Sequence, residues 1–351
     1  MGLTAKLDGL VRGIRGAGLK NGPLLVLWPA IIVLFALAMP GKFLTSGTLQ
    51  SITFQLPELG LLSLAMVIPL ISGGLNLAII ATANQAALLM VYLMSTHIGV
   101  DTDPTTMWLW IAIALLAGLA LCILIGVLTG ALIALAGVHP ILVTLGTMTL
   151  IGGVSIFLTR GKTLSGVPDP VLAISNGTVL GLPISFILFV LVCLAAHVLL
   201  TQMPLGIKIH MLGSNLEATR YSGVGTARVL IWVYVLSSVL CWLAAVVMMA
   251  RFNSAGADFA QSYLLITVLA AILGGIDPYG GFGRISGVVL SLFILQTVSS
   301  GFNLLGLSSQ LTLASWGAIL ILVIATQRMV EFRRGRSTAT VKGPTAGSKQ
   351  S

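Results

Sequence analysis

A chain of 351 residues that is 57% hydrophobic and only 8% charged, with a mean hydropathy of +1.07, excludes an ordinary soluble domain, which carries about a quarter charged residues. The net charge of +9 sits in the tails and in alternate connections between apolar runs, where it reads as a topology signal and gives no reason to invoke nucleic acid. Cys122, Cys193 and Cys241 all lie inside apolar runs, which excludes a disulfide framework and offers no ligand spacing for a metal.

Charged residues cut the chain into apolar stretches that can be measured against the roughly 20 residues a spanning helix needs. Lys20 to Lys42 holds one span, Glu58 to Asp101 two, Asp103 to Arg160 two, and Asp169 to Lys208 one plus a loop. Arg228 to Arg251 and Asp258 to Asp277 hold one each, and Arg284 to Arg328 two. The fold class is therefore all-α, a polytopic transmembrane helical bundle of about ten spans. Placing both termini in the cytoplasm puts Lys6, Arg12, Arg15, Lys20, Lys208, Arg220, Arg228, Arg284, Arg328 and the C-terminal basic residues inside. Only Lys42, Arg160, Lys162 and Arg251 then fall outside, as the positive-inside rule requires. The expected domains are a basic tail at 1–22, a transmembrane domain at 23–330 with a cytoplasmic loop at 202–228, and a disordered basic tail at 331–351.

Taken in order, Pro23 opens the first span. Ala36-Leu37-Ala38 resembles a signal cleavage site, but a retained first span closes an even count. Gly41 to Pro57, interrupted by Ser and Thr, reads as an external or partly re-entrant segment. Ser72-Gly73-Gly74-Leu75-Asn76 separates two apolar runs; glycines there can turn the chain, and the Asn76 amide can offer both donor and acceptor to a hydroxylated solute. A tight inter-helix turn is the plainer reading. Met107 to Ala136 places Gly118, Gly126 and Gly130 on one stripe, as close helix contacts in lipid prefer. His139-Pro140 reads as a surface turn without chemistry, Ile141 to Leu158 as the fifth span, and Arg160 to Pro183 as an external loop.

Gln202 to Arg228 is the longest polar interior segment. Ser214-Asn215-Leu216-Glu217 has the spacing of a capping box, with Ser214 bonding the Glu217 amide and the Glu217 carboxylate reaching back. Gly223 can close the same helix in a left-handed turn, so the spacing predicts a short, doubly capped helix over Asn215 to Ser222. Further on, two glycine pairs, Gly274-Gly275 and Gly280-Gly281, flank Asp277-Pro278 ahead of Arg284. Gly274-Gly275-Ile276-Asp277 echoes Gly73-Gly74-Leu75-Asn76 and hints at an internal duplication. A phosphate loop is excluded, since no strand precedes and no Gly-Lys-Ser/Thr follows. In the last two spans, over Ile285 to Gln327, Gln296 and Asn303 are candidates for a translocation path.

Gly213-Ser214-Asn215-Leu216-Glu217-Ala218-Thr219, followed by Tyr221-Ser222-Gly223-Val224, resembles the cytoplasmic loop of sugar-type ATP-binding cassette importer permeases, the ribose and xylose permease family. Glu217-Ala218-Thr219 with Gly223 keeps the E-A-A-x-x-x-G spacing of importer permeases, with Thr219 replacing the second Ala. Gly274 to Gly283 is similar to that family's G-G-x-x-x-x-G-G-x-G stretch. Ser72 to Ile80 departs from its S/T-G-G-I-D-L-S-V-G: Asn76 stands for the acid, Ala78 for the Ser, and the last Gly is lost. The resemblance, spanning about Phe43 to Arg328, implies a permease subunit in the bacterial inner membrane. Its partners would be ATPase subunits, a periplasmic solute-binding protein, a second permease copy or homologue forming a dimer, and membrane lipid. Its solute would be a monosaccharide or related polyol. Gly213, Asn215, Glu217, Ala218 and Gly223 would couple to the ATPase. Ser72, Gly73, Gly74, Asn76, Gly274, Gly275 and Asn303 would line the solute pathway. No catalytic residue, cofactor or metal is expected in the chain, because it carries no P-loop, ligand cluster or activated nucleophile. The alternative, an ion-coupled secondary transporter or channel for a small polar solute, would want an intramembrane ionisable residue. Glu58 and Asp277 come nearest to that description.

Overall fold

The computed structural model describes residues 22–321 apart from 100, 180 and 309; the expected tails at 1–22 and 331–351 lie outside these, save Gly22. The first five helices are α1 (Gly22–Ala38), α2 (Ser46–Ile71), α3 (Ile79–His97), α4 (Pro104–Leu135) and α5 (Pro140–Thr159). A connection follows with strand β1 (Leu164–Ser165), helix α6 (Asp169–Asn176) and strands β2 (Thr178–Val179) and β3 (Leu182–Pro183). Then come α7 (Ile184–Gln202), α8 (Pro204–Ser214), α9 (Leu216–Tyr221), α10 (Thr226–Phe252), β4 (Ser254–Ala255), α11 (Tyr263–Leu273) and α12 (Ile285–Leu304). A last apolar helix, α13, covers Gln310–Ile321 and belongs to a separate unit that begins at Leu307.

Among the described residues, seven helices are long and apolar enough to cross a membrane: α2, α3, α4, α5, α7, α10 and α12. Leu24–Ala38, α11 and α13 are apolar but shorter. The chain is thus a polytopic helical membrane protein. β1 pairs antiparallel with β4, Leu164 opposite Ala255 and Ser165 opposite Ser254, and β2 pairs with β3. The connection at 160–183, read from sequence as a plain loop, therefore carries a helix and two short pairings.

Helix α2 is the centre of the bundle. Every residue from Leu56 to Ile71 is buried, and α7, α10, α11 and α12 all pack on it, as expected of a helix apolar on all sides. The sequence expectation of an external or re-entrant segment over Gly41 to Pro57 is corrected here, because α2 is helical from Ser46 onward. The polar residues responsible for that expectation are satisfied within helical geometry. Thr45 caps the helix by accepting from the Thr48 amide (3.2 Å), Thr53 donates to the Gln50 carbonyl (2.8 Å), and the Gln55 amide donates to Ser51 (2.8 Å). Gln296 of α12 donates in turn to Gln55 Oε1 (2.9 Å).

The Gly118, Gly126 and Gly130 stripe of α4 does what its composition predicts. A Cβ at Gly126 would lie 2.8 Å from Val235 Cα, one at Gly130 2.8 Å from Ile231 Cα, and one at Gly118 2.7 Å from Met90. α4 and α10 approach through bare backbone at the two lower positions, and dispersion contacts between closely set helices replace the hydrophobic drive that lipid cannot supply. α1 is held to α12 by the Phe35, Met39 and Phe43 cluster packed on Val298 and Phe302, and by Trp28 Nε1 donating to Thr297 (3.1 Å).

Candidate functional site

Three irregular segments meet at one end of the bundle: the turn 72–78 after α2, the α8–α9 pair, and the turn 274–284 between α11 and α12. Each owes its shape to local sequence. α2 ends at Ser72 and α11 at Gly274, and both close by the same pattern. Gly73 N donates to Leu70 O and Gly74 N to Pro69 O, while Gly275 N donates to Ile272 O and Ile276 N to Ala271 O. That is the Schellman arrangement, with a left-handed residue just beyond the cap; Gly73 (φ 85°) and Gly275 (φ 82°) fill it. The structural equivalence is therefore Gly73 with Gly275, one residue offset from the sequence echo, which aligned Gly73 with Gly274.

The polar loop 202–228 contains two helices where the sequence reading expected one. α8 was missed because Lys208 and His210 break its apolar run, yet it buries Gly206, Ile209 and Leu212 on one face. This second helix also corrects the cap. Ser214 is still helical and donates to the His210 carbonyl (2.9 Å). Asn215, extended at φ −163°, is the N-cap, its Oδ1 accepting from the Ala218 amide (2.9 Å). The Glu217 side chain is exposed and, among the described residues, makes no reciprocal bond. At the other end Ser222 caps α9 and Gly223 takes φ 77°, as its position predicts. Within α9 only Thr219 is buried. Leu216 is 48% and Tyr221 88% exposed, so among the described residues nothing covers these two apolar and aromatic side chains of the short helix. Beside it lies an open cleft of about 680 Å³ lined by Leu200, His210, Asn215, Thr219 and Phe282 among others.

Asn76 sits inside the same end but not in the open. It is 3% exposed, its Nδ2 donates to Ser237 (2.9 Å), and its Oδ1 accepts from the Ala78 amide (3.1 Å). Ser237 passes the chain on, donating to the Ala65 carbonyl (2.7 Å). That carbonyl would ordinarily accept from residue 69, and Pro69 has no N–H to give. Asn76 and Ser237 thus close the gap that Pro69 opens in α2. Of the remaining sequence-derived candidates, Gly74 lies under the Tyr234 hydroxyl and Pro140, and Gly274 lies against Val288. Asn303 is exposed near the far end of α12 and is not brought to this cluster.

Sequence reasoning also left unassigned a buried ion pair. Glu58, fully buried, accepts from Arg251 (2.5 Å) and from the Tyr263 hydroxyl (2.6 Å). Its second oxygen has no partner among the described residues. Glu58 lies thirteen residues before Ile71, about 20 Å up α2, so the pair ties α2, α10 and α11 within the bundle. The residues stand 193 positions apart, and only the alternative reading had singled out Glu58.

The bundle is that of a polytopic membrane protein, and among the described residues it carries an exposed, capped helix on a polar loop. The chain belongs to the family described as the permease component of branched-chain amino acid transport systems, which matches residues 48–324. It is similar to the autoinducer 2 import system permease protein LsrD of Klebsiella pneumoniae, 32% identical over 86% of this chain and 89% of the relative. The proteins of the same name from Photorhabdus laumondii (30%, covering 84% and 86%) and Yersinia enterocolitica (30%, covering 76% and 79%) are similar too. No solved structure matches. The chain is accordingly a multi-pass inner-membrane transport subunit of an ATP-binding cassette importer, not an enzyme, and its family implies ATPase and binding-protein partners. The secondary-transporter alternative finds no support in these relatives.

Proposed function

We propose that the chain forms one half of a dimeric pore for a neutral, polyhydroxylated solute, a monosaccharide or related polyol, received from a periplasmic binding protein. The observation that carries the solute class is the chemistry of the polar side chains on α2 and α12. Ser51, Gln55, Gln296, Ser299 and Ser300 are hydroxyls and amides, and among the described residues the charges in these helices and those around them at this level are Glu58 and Arg251, which neutralise each other. An amino acid zwitterion would ask for fixed charges; hydroxyl groups ask for amides and hydroxyls. The relatives are named for the import of autoinducer 2 and not of amino acids. α9 is the coupling helix, with Leu216 and Tyr221 entering the ATPase subunit and Asn215 and Gly223 holding its ends. The seven long helices and the three shorter apolar ones together make ten crossings with both termini cytoplasmic. The loop 202–228 then faces the ATPase, and the lipid-facing surface is the exposed apolar side of α4, α5 and α7. Uptake by the reconstituted importer, challenged with excess pentose, hexitol or leucine, tests the solute class. Competition by the sugar or polyol and none by leucine is expected, and the opposite order overturns it.

A further inference from the structure

The turns 72–78 and 274–284 touch the loop 202–228 through Gly73, Gly280 and Gly281. A Cβ at Gly213, at the end of α8, would overlap the Ile71 carbonyl oxygen at the end of α2 and the Gly281 nitrogen. One at Gly280 would lie 2.6 Å from Gly73 N and 2.7 Å from Gly73 Cα, and one at Gly281 2.9 Å from Ser214 Cα. The contact is also bonded: Gly281 N donates to the Ile71 carbonyl (2.8 Å). Three backbones thus meet at this point, where the side chain that comes close is Ser214, whose Oγ a Cβ at Gly281 would overlap, and Gly280 (φ 91°) and Gly281 (φ 82°) take a conformation that a Cβ resists. α9 begins two residues beyond Ser214, and α12 begins four residues beyond Gly281.

Resting on the importer reading, we propose that Gly73, Gly213, Gly280 and Gly281 form a backbone joint that delivers displacement of the coupling helix α9 to α2 and α12. These glycines are positioning residues for coupling rather than contacts for solute. A flexible side chain at this point would absorb motion by changing rotamer, whereas backbone against backbone, with a hydrogen bond across it, has no such slack. The arrangement also explains why the joint combines the segment ending the most buried helix with the one preceding α12. Moving them together shifts two helices that carry the amide and hydroxyl positions assigned to the solute.

The test compares Gly213→Ala with Gly146→Ala in the assembled importer. Gly146, on α5, has nothing within 4 Å of an added Cβ and controls for the substitution itself. Solute taken up per ATP hydrolysed should fall at least tenfold in Gly213→Ala while hydrolysis continues, and should not change in Gly146→Ala. A ratio within twofold of wild type in Gly213→Ala overturns the joint. Hydrogen exchange on the wild-type complex supplies a reading independent of any variant's folding. The Gly281 amide should stay protected both without nucleotide and with ATP bound, because a joint that transmits motion stays closed. Rapid exchange of that amide in either state contradicts the proposal. Wild-type uptake in the same vesicles reports separately on the importer reading.

Discussion

Arg251→Ala should be among the most damaging single substitutions in this chain, and markedly worse than Glu58→Gln. Glu58 is fully buried and, among the described residues, makes two bonds, to Arg251 and Tyr263. Removing the arginine leaves a carboxylate with one tyrosine hydroxyl and no counter-charge, and breaking one side of a buried pair costs about 3–5 kcal/mol. Glu58→Gln removes the charge but keeps an oxygen in place to accept from Tyr263. The guanidinium it abandons is 24% exposed and can be hydrated, so about 1–2 kcal/mol is expected. Replacing both residues with Leu and Met should recover most of the Arg251→Ala loss, because apolar packing substitutes well for a buried pair. The assay is the thermal midpoint of the purified protein in detergent, where the larger loss corresponds to a drop on the order of 10 °C. Equal losses in Arg251→Ala and Glu58→Gln, or no loss in either, would refute the reasoning that burial asymmetry decides the cost.

Asn215→Ala removes the N-cap of α9 and should weaken that helix by about 1 kcal/mol, seen as a several-fold lower affinity for the ATPase subunit. Glu217→Ala, having no capping bond to lose, should leave that helix intact. Gly223→Val forces a β-branched residue to φ 77° and should give a protein that inserts normally, yet loses its ATPase subunit on purification or hydrolyses ATP without transport. Gly126→Val drives a side chain into Val235 and Tyr234 and should cost about 1–3 kcal/mol through separation of α4 and α10, read as reduced abundance and a lower thermal midpoint. Asn76→Leu leaves the buried Ala78 amide without its acceptor, costing about 1–3 kcal/mol, so it should lower abundance together with transport; a loss of transport at full abundance would return Asn76 to the solute path.

What could be read from the chain alone followed from features that are local. Gly223 was legible because a glycine after a short polar helix has one common use, and the α4 stripe because three glycines on one face can only invite a close neighbour. Cap assignment failed by one residue at Ser214, since the helix preceding it carries Lys208 and His210 and lacks the long apolar run that would betray it. α2 was shortened in the reading because Ser and Thr look like a loop, although Thr53 donates to the Gln50 carbonyl and Ser51 accepts from Gln55 one turn on. Long-range pairings left no trace at all. Nothing near Glu58 points to Arg251, nothing near Pro69 points to Ser237, and the meeting of Gly73, Gly213 and Gly281 depends on three turns brought together by packing of α2, α8 and α12.

As proposed, transport through this chain is driven by a partner's ATP hydrolysis and delivered to it through α9. The direct measurement is uptake into liposomes containing the permease with its ATPase subunits, with the solute-loaded binding protein outside and ionophores collapsing every ion gradient. Uptake that requires ATP inside the vesicles and persists without gradients is the predicted result. Uptake that proceeds without ATP when a proton or sodium gradient is imposed would contradict the account.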